Sequence, residues 1–486
     1  LPGQVVGAAG LLQFREAATD RVFRGRQCQL SLILGRKRNQ KQNVQHNPLA
    51  SSLTRRSDTL ADRAAVPKRI LVATYYWPPA GGPGVQRWLK MAQALKQLGH
   101  DVEVLTVDPA YATYPLRDES LIVEAEGITV HSTRARDWFG TYQKLTRRKE
   151  VPFSGFANQA GKPGPIQRVS RWVRGNLFIP DPRRGWNQYA VAEALKQHTL
   201  KPYDLVVTSG PPHSTHLIGL ELQRRGLRWW ADFRDPWTDI YYYRMFYPSA
   251  WARRRDTELE HSVLERAERV LTVSDDLKRL LASKLNGDSA KFVVVPNGYD
   301  PADFEANAQV PNNPVRTLVY TGTLTLDYPL EALYTALRTY CRQHGALKLV
   351  FAGRPAQEAK DALEALTREL PLSVEFKGYL PHAESVALLQ GADALLLIPE
   401  LPNNRGILTG KLFEYLGSGR PIWGFGPVDG DANAILRETR AGGLYEDAQK
   451  AFEALAQWPE QGASLEARTR YTRLGIAEGL AAYLDK

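Results

Sequence analysis

The sequence predicts an α/β protein made of two blocks of alternating strands and helices behind a basic tail. Three observations carry this. Short, unbroken apolar runs of strand length recur along the chain, as expected of strands covered on both faces. Stretches long enough for helices separate many of them. The alternation stops near Glu305–Val315, a polar segment with Pro311 and Pro314, and then restarts. Strands that alternate with helices give parallel sheets with right-handed crossovers, so two such blocks imply two Rossmann-like domains. The length of 486 residues suits two or three domains and is too long for one. No period of 20–50 residues recurs, which excludes a solenoid.

The first block opens with the run Ile70-Leu71-Val72-Ala73-Thr74, a Pro/Gly turn, and a helical stretch from Val85 to Leu98 closed by Gly99. Further strands are expected at Val102–Val107, Ile128–His131, Leu205–Thr208, Trp229–Phe233, Val270–Val273 and Phe292–Val295. Helices are expected at Tyr189–His198, Ser214–Arg225 and Trp251–Arg266. The segment from about Asp137 to Arg184 breaks the pattern and reads as an insertion. In the second block, strands at Leu318–Thr321, Lys348–Ala352, Val374–Lys377, Ala394–Ile398 and Pro421–Gly424 alternate with helices near Leu330–Arg342, Gln357–Leu370, Glu384–Gln390 and Gly410–Gly417. These patterns set the expected boundaries at 1–67 (tail), 68–305, 306–465 and a final helical segment, 466–486.

The formal net charge is +11, which by itself would suggest nucleic acid or an anionic surface as partner. Its distribution argues otherwise. Residues 1–67 hold eleven basic and four acidic side chains, a net +7, while the other 419 hold 52 and 48, a net +4. The tail lacks sustained periodicity and is expected to stay disordered. It reads as a transit-like leader, a basic arm, or translated upstream sequence. The body has no nucleic-acid recognition motif, so no nucleic-acid partner is expected. Two cysteines, Cys28 and Cys341, exclude a disulfide scaffold, and nine scattered histidines without HExxH suggest no metal site. No run of eighteen apolar residues is present to span a membrane.

In open parallel sheets, ligands bind beyond the carboxyl ends of the strands. Four loops there contain candidates. The first, Tyr75–Arg87, has Gly81, Gly82 and Gly84 before a helix N-terminus, where unpaired N–H groups suit an anion. It is neither GxGxxG nor a P-loop, so a dinucleotide enzyme or NTPase is disfavoured; a tight strand-to-helix turn is the plainer reading. The second, Ser209–His216, puts His213 at the crevice rim and offers Ser214 or Thr215 as a cap. The third, Asp232–Asp239, gathers Asp232, Arg234, Asp235 and Asp239; Asp235 is a base, a sugar-orienting group, or simply the partner of Arg234. The fourth, Gly406–Pro421, places Ile407, Leu408, Thr409 and Gly410 before a helix whose first turn carries Lys411. Dipole, N–H groups and ammonium together make a phosphate site. Glu414, three residues on, suits ribose hydroxyls or pairs with Lys411 on a solvated face.

From Lys68 to Lys486 the chain resembles glycosyltransferase family 4, whose members have the two-domain GT-B fold with parallel sheets facing across a cleft. The resemblance rests on Tyr75-Tyr76-Trp77-Pro78-Pro79-Ala80-Gly81-Gly82-Pro83-Gly84, Val295-Pro296-Asn297-Gly298-Tyr299-Asp300, Tyr320-Thr321-Gly322-Thr323-Leu324, and Gly410-Lys411-Leu412-Phe413-Glu414-Tyr415-Leu416 with Gly419-Arg420-Pro421, in that order. It implies a hexosyltransferase-type enzyme that moves a sugar from a nucleotide-diphosphate sugar to an acceptor hydroxyl with retention. It also implies no metal ion and no cofactor, the nucleotide-sugar being a substrate. By resemblance Glu414 holds the ribose, Tyr379 and Leu380 lie by the base, and Gly82 approaches the diphosphate. The Arg234–Asp235 turn falls where relatives contact the donor sugar or the reacting atoms, the final helix crosses back to the first domain, and the first domain takes the acceptor. The setting it implies is cell-surface polysaccharide or glycolipid synthesis, in the cytoplasm or at the inner face of the plasma membrane.

Two departures stand out. Many relatives have a Glu-x7-Glu pair, but eight residues before Glu414 stands Gly406. Many also carry an Arg and a Lys five apart where this chain has Thr323 and Tyr328, so Lys411 or Arg354 has to compensate. These departures keep two alternatives open: a catalytically silent nucleotide-sugar-binding protein, and a nucleotide-sugar epimerase on the same fold. Ile166–Arg174 reads as a basic amphipathic helix for an anionic bilayer, which would suit a glycan or lipid-linked acceptor; solvated faces and core aromatics are the plainer reading.

Overall fold

The computed structural model describes residues 66–136, 164–287, 289–305, 312–324, 330–398, 405–406, 408–457 and 462–486. The tail up to residue 65, residues 137–163 of the expected insertion, Tyr328 and the candidate Ile407 lie outside them.

Two parallel sheets form, as expected. The first contains β1 (Arg69–Thr74), β2 (Asp101–Val107), β3 (Thr129–Thr133), β4 (Leu205–Gly210), β5 (Trp229–Phe233), β6 (Arg269–Thr272) and β7 (Phe292–Val294), in the order β3-β2-β1-β4-β5-β6-β7. The second contains β8 (Thr317–Thr321), β9 (Leu347–Ala352), β10 (Leu372–Gly378), β11 (Ala394–Leu397), β12 (Ile422–Phe425) and β13 (Gly442–Tyr445), in the order β10-β9-β8-β11-β12-β13. Both orders reverse direction once, at β1/β4 and at β8/β11, and a crevice opens at such a switch point. In register, Val72 faces Val104 on one side and Val207 on the other.

The central strands β1, β4 and β5 are buried along their whole length because helices cover both faces. Alternate residues of β1 enter different cores: Leu71 and Ala73 on one face, Ile70 and Val72 on the other. In β8, Leu318 and Tyr320 separate from Val319 in the same way. The helix Arg473–Ala481, at the far end of the chain, buries Ile476, Ala477 and Leu480 in the first sheet's core and packs against the helix Pro83–Gln97. Thr472 caps it, its Oγ1 accepting from the Gly475 amide at 3.0 Å.

One local expectation is corrected. Neither Ser214 nor Thr215 caps a helix by its side chain. The Ser214 hydroxyl instead donates to Asp181 Oδ1 and its amide to Asp181 Oδ2, both at 2.8 Å. The buried Asp181, 33 positions upstream, supplies the acceptors that the local sequence would have supplied.

Candidate active site

The first turn of the helix Pro83–Gln97 lies between two cavities. Gly81, Gly82 and Gly84 line a cavity of about 330 Å³ whose walls come entirely from the first sheet's half of the chain. Gln86, Arg87 and Lys90, one turn on, line a cleft of about 250 Å³ whose opposite wall comes from the second half.

The first cavity has several aromatic walls. Tyr76, Phe178, Trp237, Tyr242 and Phe246 line it, together with His213 and Arg234. His213 stacks on Trp237 with ring centroids 5.0 Å apart and planes 6° from parallel. Burial, with the nearby His216, Arg234 and Lys284, holds His213 well below the ordinary histidine range, so its imidazole is neutral at neutral pH. Its Nδ1 is buried without a hydrogen-bond partner. Arg234 lies across the backbone of Gly84, where any Cβ would collide with the guanidinium. Asp235 pairs with Arg234 at 3.5 Å and does not line this cavity.

The other two carboxylates of that loop have other partners. Asp232 is fully buried and receives Arg87 at 2.7 and 3.1 Å, Trp88 Nε1 at 2.7 Å and Ser209 Oγ at 2.9 Å. Although burial opposes ionisation, the Arg87 charge and these donors hold its carboxyl below the usual range. Arg87 also reaches Asn297 Oδ1 at 3.1 Å, which ties the loop after β7 to the first helix. Asp239 pairs with Lys284, which also holds Glu260 at 2.6 Å.

On the second half, Gly410 and Glu414 line the cleft with His382 and Arg473. Glu414 is half-buried, and burial raises its carboxyl above the ordinary range against the opposing charges of His382 and Arg473. His382 Nε2 donates to Asp303 Oδ2 at 3.2 Å, which raises the histidine and lowers the aspartate. Lys411 turns toward the end of β8, donating to Tyr320 Oη at 3.0 Å and lying 4.5 Å from the centre of its ring. A Cβ on Gly322 would come 3.1 Å from Lys411 Nζ. Gly322 and Gly353, at φ of +112° and +137°, press backbone to backbone in a way that a side chain on Gly353 would forbid.

The predicted residues thus fall into three groups. Gly81, Gly82, His213 and Arg234 share the first cavity, Gly410 and Glu414 share the cleft, and Lys411 and Gly322 lie near each other but line neither. Thr323 accepts from Tyr320 Oη through its carbonyl at 2.8 Å. Thr409 precedes the helix Gly410–Ser418, and Leu408 is buried in the core. Arg354 and Tyr379 are exposed, Leu380 is half-buried, and none of the three lines either cavity. Sequence reasoning did not single out Lys90, Asp303, His382 or Arg473 in the cleft. The markers Val295–Asp300 and Tyr379-Leu380, adjacent in sequence to Asp303 and His382, were the available signal.

Residues 81–298 match the glycosyl transferase 4-like domain. The chain is 26% identical to a glycogen synthase of Mycobacterium tuberculosis over 335 residues, 68% of this chain and 72% of that protein. The chain therefore contains a glycosyl transferase 4-like domain. An uncharacterised glycosyltransferase of Methanocaldococcus jannaschii is 28% identical over 166 residues, 32% of this chain and 41% of that one. Among solved structures, Anabaena HepE in complex with UDP and glucose aligns with a TM-score of 0.50 at 14% identity, covering 86% of this chain and 99% of that one. The lipopolysaccharide outer core galactosyltransferase WaaB aligns at 0.51 and 12% identity, over 86% and 100%. At these identities the structural likenesses speak for the fold alone.

Proposed function

We propose that this glycosyltransferase moves a sugar from a nucleotide-diphosphate sugar to an acceptor hydroxyl, at the cleft between its two sheets, with retention and without a metal ion. The observation that carries this reading is the pairing of Glu414 with the N-terminus of the Gly410–Ser418 helix at one cleft wall. A carboxylate there accepts from ribose hydroxyls, while helix N–H groups and Lys411 stabilise charge that develops on the leaving diphosphate. The donor occupies the cleft, and the aromatic first-half cavity takes the acceptor. HepE of like fold was solved with UDP and glucose, which makes uridine donors the first to test.

The acceptor side includes peripheral contact with an anionic membrane, consistent with glycolipid or surface-polysaccharide synthesis. Val169, Trp172 and Leu177 of the helix Pro165–Leu177 are exposed, as is Trp251 of the helix Ala250–Arg266. Asn176 joins the two helices by accepting from the Ser249 amide at 2.8 Å. Arg168 adds exposed charge. Among the described residues, no helix is long and apolar enough to cross a membrane. A second reading, a silent nucleotide-sugar-binding protein, draws support from Gly406, which faces Asp276 too closely for a glutamate to replace it. A screen of nucleotide-sugars for diphosphate release, beside calorimetry with nucleoside diphosphates, separates the two: release supports transfer, and binding without release supports the silent protein.

A further inference from the structure

Arg174 lines the first-half cavity, yet its Nε and Nη1 are shielded from solvent and have no hydrogen-bond partner. A guanidinium so placed ordinarily has an acceptor, because a desolvated charge without one is costly. Its Cζ lies 4.6 Å from the centre of the Phe246 ring, and Gly175 beside it touches the Phe246 backbone too closely for any side chain. The helix Pro165–Leu177 is therefore fixed against this wall. Burial, and next the charge of Arg183, push the Arg174 guanidinium down to about 10. Arg183 and Arg234 line the same cavity.

Two carboxylates also line it, and both are engaged by other donors. Asp181 accepts from the Arg183 amide at 2.9 Å and from the Ser214 amide and hydroxyl at 2.8 Å each. Asp256 accepts from Trp237 Nε1 at 3.0 Å and Tyr243 Oη at 2.9 Å, and burial raises it to about 6. Neither gives Arg174 its missing acceptor.

We infer that this cavity binds an anionic group of the acceptor, a phosphate or carboxylate, with the half-buried Arg174 as the donor and the aromatic walls holding the adjoining organic body. This rests on the proposed acceptor role of the cavity and names the acceptor's chemical class. A fork of N–H donors fits either oxyanion, and aromatic faces pack an apolar body or the face of a sugar.

Calorimetry on the full chain with phenyl phosphate, benzoate and benzyl alcohol tests it. One anion is expected to bind at least about 10-fold more tightly than the alcohol, a margin that one charge-assisted hydrogen bond supplies. The tighter of the two anions identifies the group. Arg174→Gln should abolish that preference and Arg174→Lys should restore part of it. A nucleoside diphosphate should leave the preferred anion in place. Equal binding of the alcohol by the unmodified protein would overturn the inference even if the variants misfold. Displacement by the nucleotide would overturn it too, placing the anion in the donor site. Nucleotide binding with no anion preference removes this cavity's role alone; anion preference without nucleotide binding removes the proposed donor reaction alone.

Discussion

A Cβ placed on Gly406 would lie 2.7 Å from the Cβ of Asp276 and 2.9 Å from its Oδ2. Asp276 begins a helix of the first half, and its amide donates to Asp431 Oδ2 of the second half at 2.7 Å. Arg279 adds an ion pair to Asp431 at 3.7 Å. The two halves are latched where many family members carry the first glutamate of their Glu-x7-Glu pair. Gly406→Glu should therefore wedge the latch open instead of restoring the pair. Small-angle scattering should show a larger radius of gyration, with a lower melting temperature. A variant as compact and stable as the parent would mean that the loop yields without cost.

Gly84 offers a cleaner way to move Arg234. A methyl there would strike the end of a flexible side chain, and alanine favours the helix, so Gly84→Ala should shift stability by less than about 1 kcal/mol. If Arg234 serves the reaction, kcat/KM should fall by about 10-fold or more, the worth of one charge-assisted contact. Unchanged kinetics would assign Arg234 to the ion pair with Asp235 alone.

Asp232 is expected to be structural. Asp232→Asn leaves Arg87 buried without its counter-charge, and breaking such a pair costs about 3–5 kcal/mol. Urea denaturation should report a loss of this order. A loss below about 1 kcal/mol would contradict the assignment.

His213 and His216, both held below the ordinary histidine range, weaken the fold in acid. Burial lowers His216 to about 3, and it stacks on Phe233 at 4.5 Å with Thr208 Oγ1 3.0 Å from its Nδ1. Below pH about 6.5 the unfolded chain binds a proton that folded His216 refuses, so stability falls as pH drops toward 3. His213 acts in the same direction. The slope is at most about 1.4 kcal/mol per pH unit per histidine. Melting temperature measured from pH 7 to 4 should decline, and His216→Phe should flatten the decline. The same slope in the variant would place the acid sensitivity elsewhere.

The sheets were legible because their central strands are buried on both faces and so read as unbroken apolar runs. β13 was not: Gly442-Gly443-Leu444-Tyr445 offers only two apolar residues behind two glycines, and its pairing with β12 holds it in place. The glycine loops and the helix carrying Lys411 and Glu414 could be read because backbone approach and helix dipoles demand local residue types. The latch was hidden, since Asp276 and Asp431 stand 155 positions apart. So was the first cavity. Arg174 reads in sequence as one charge of a basic amphipathic helix, and only packing against Phe246 removes its Nε and Nη1 from water.

Glu414 and Lys411 are the residues proposed to serve nucleotide-sugar chemistry at the cleft. The most direct test of that role is diphosphate release across a nucleotide-sugar panel by the unmodified protein, Glu414→Ala and Lys411→Ala, each checked for a native melting transition. The unmodified protein should release diphosphate from at least one donor, and both folded variants should lose most of that turnover. Near-normal turnover in both would contradict that role.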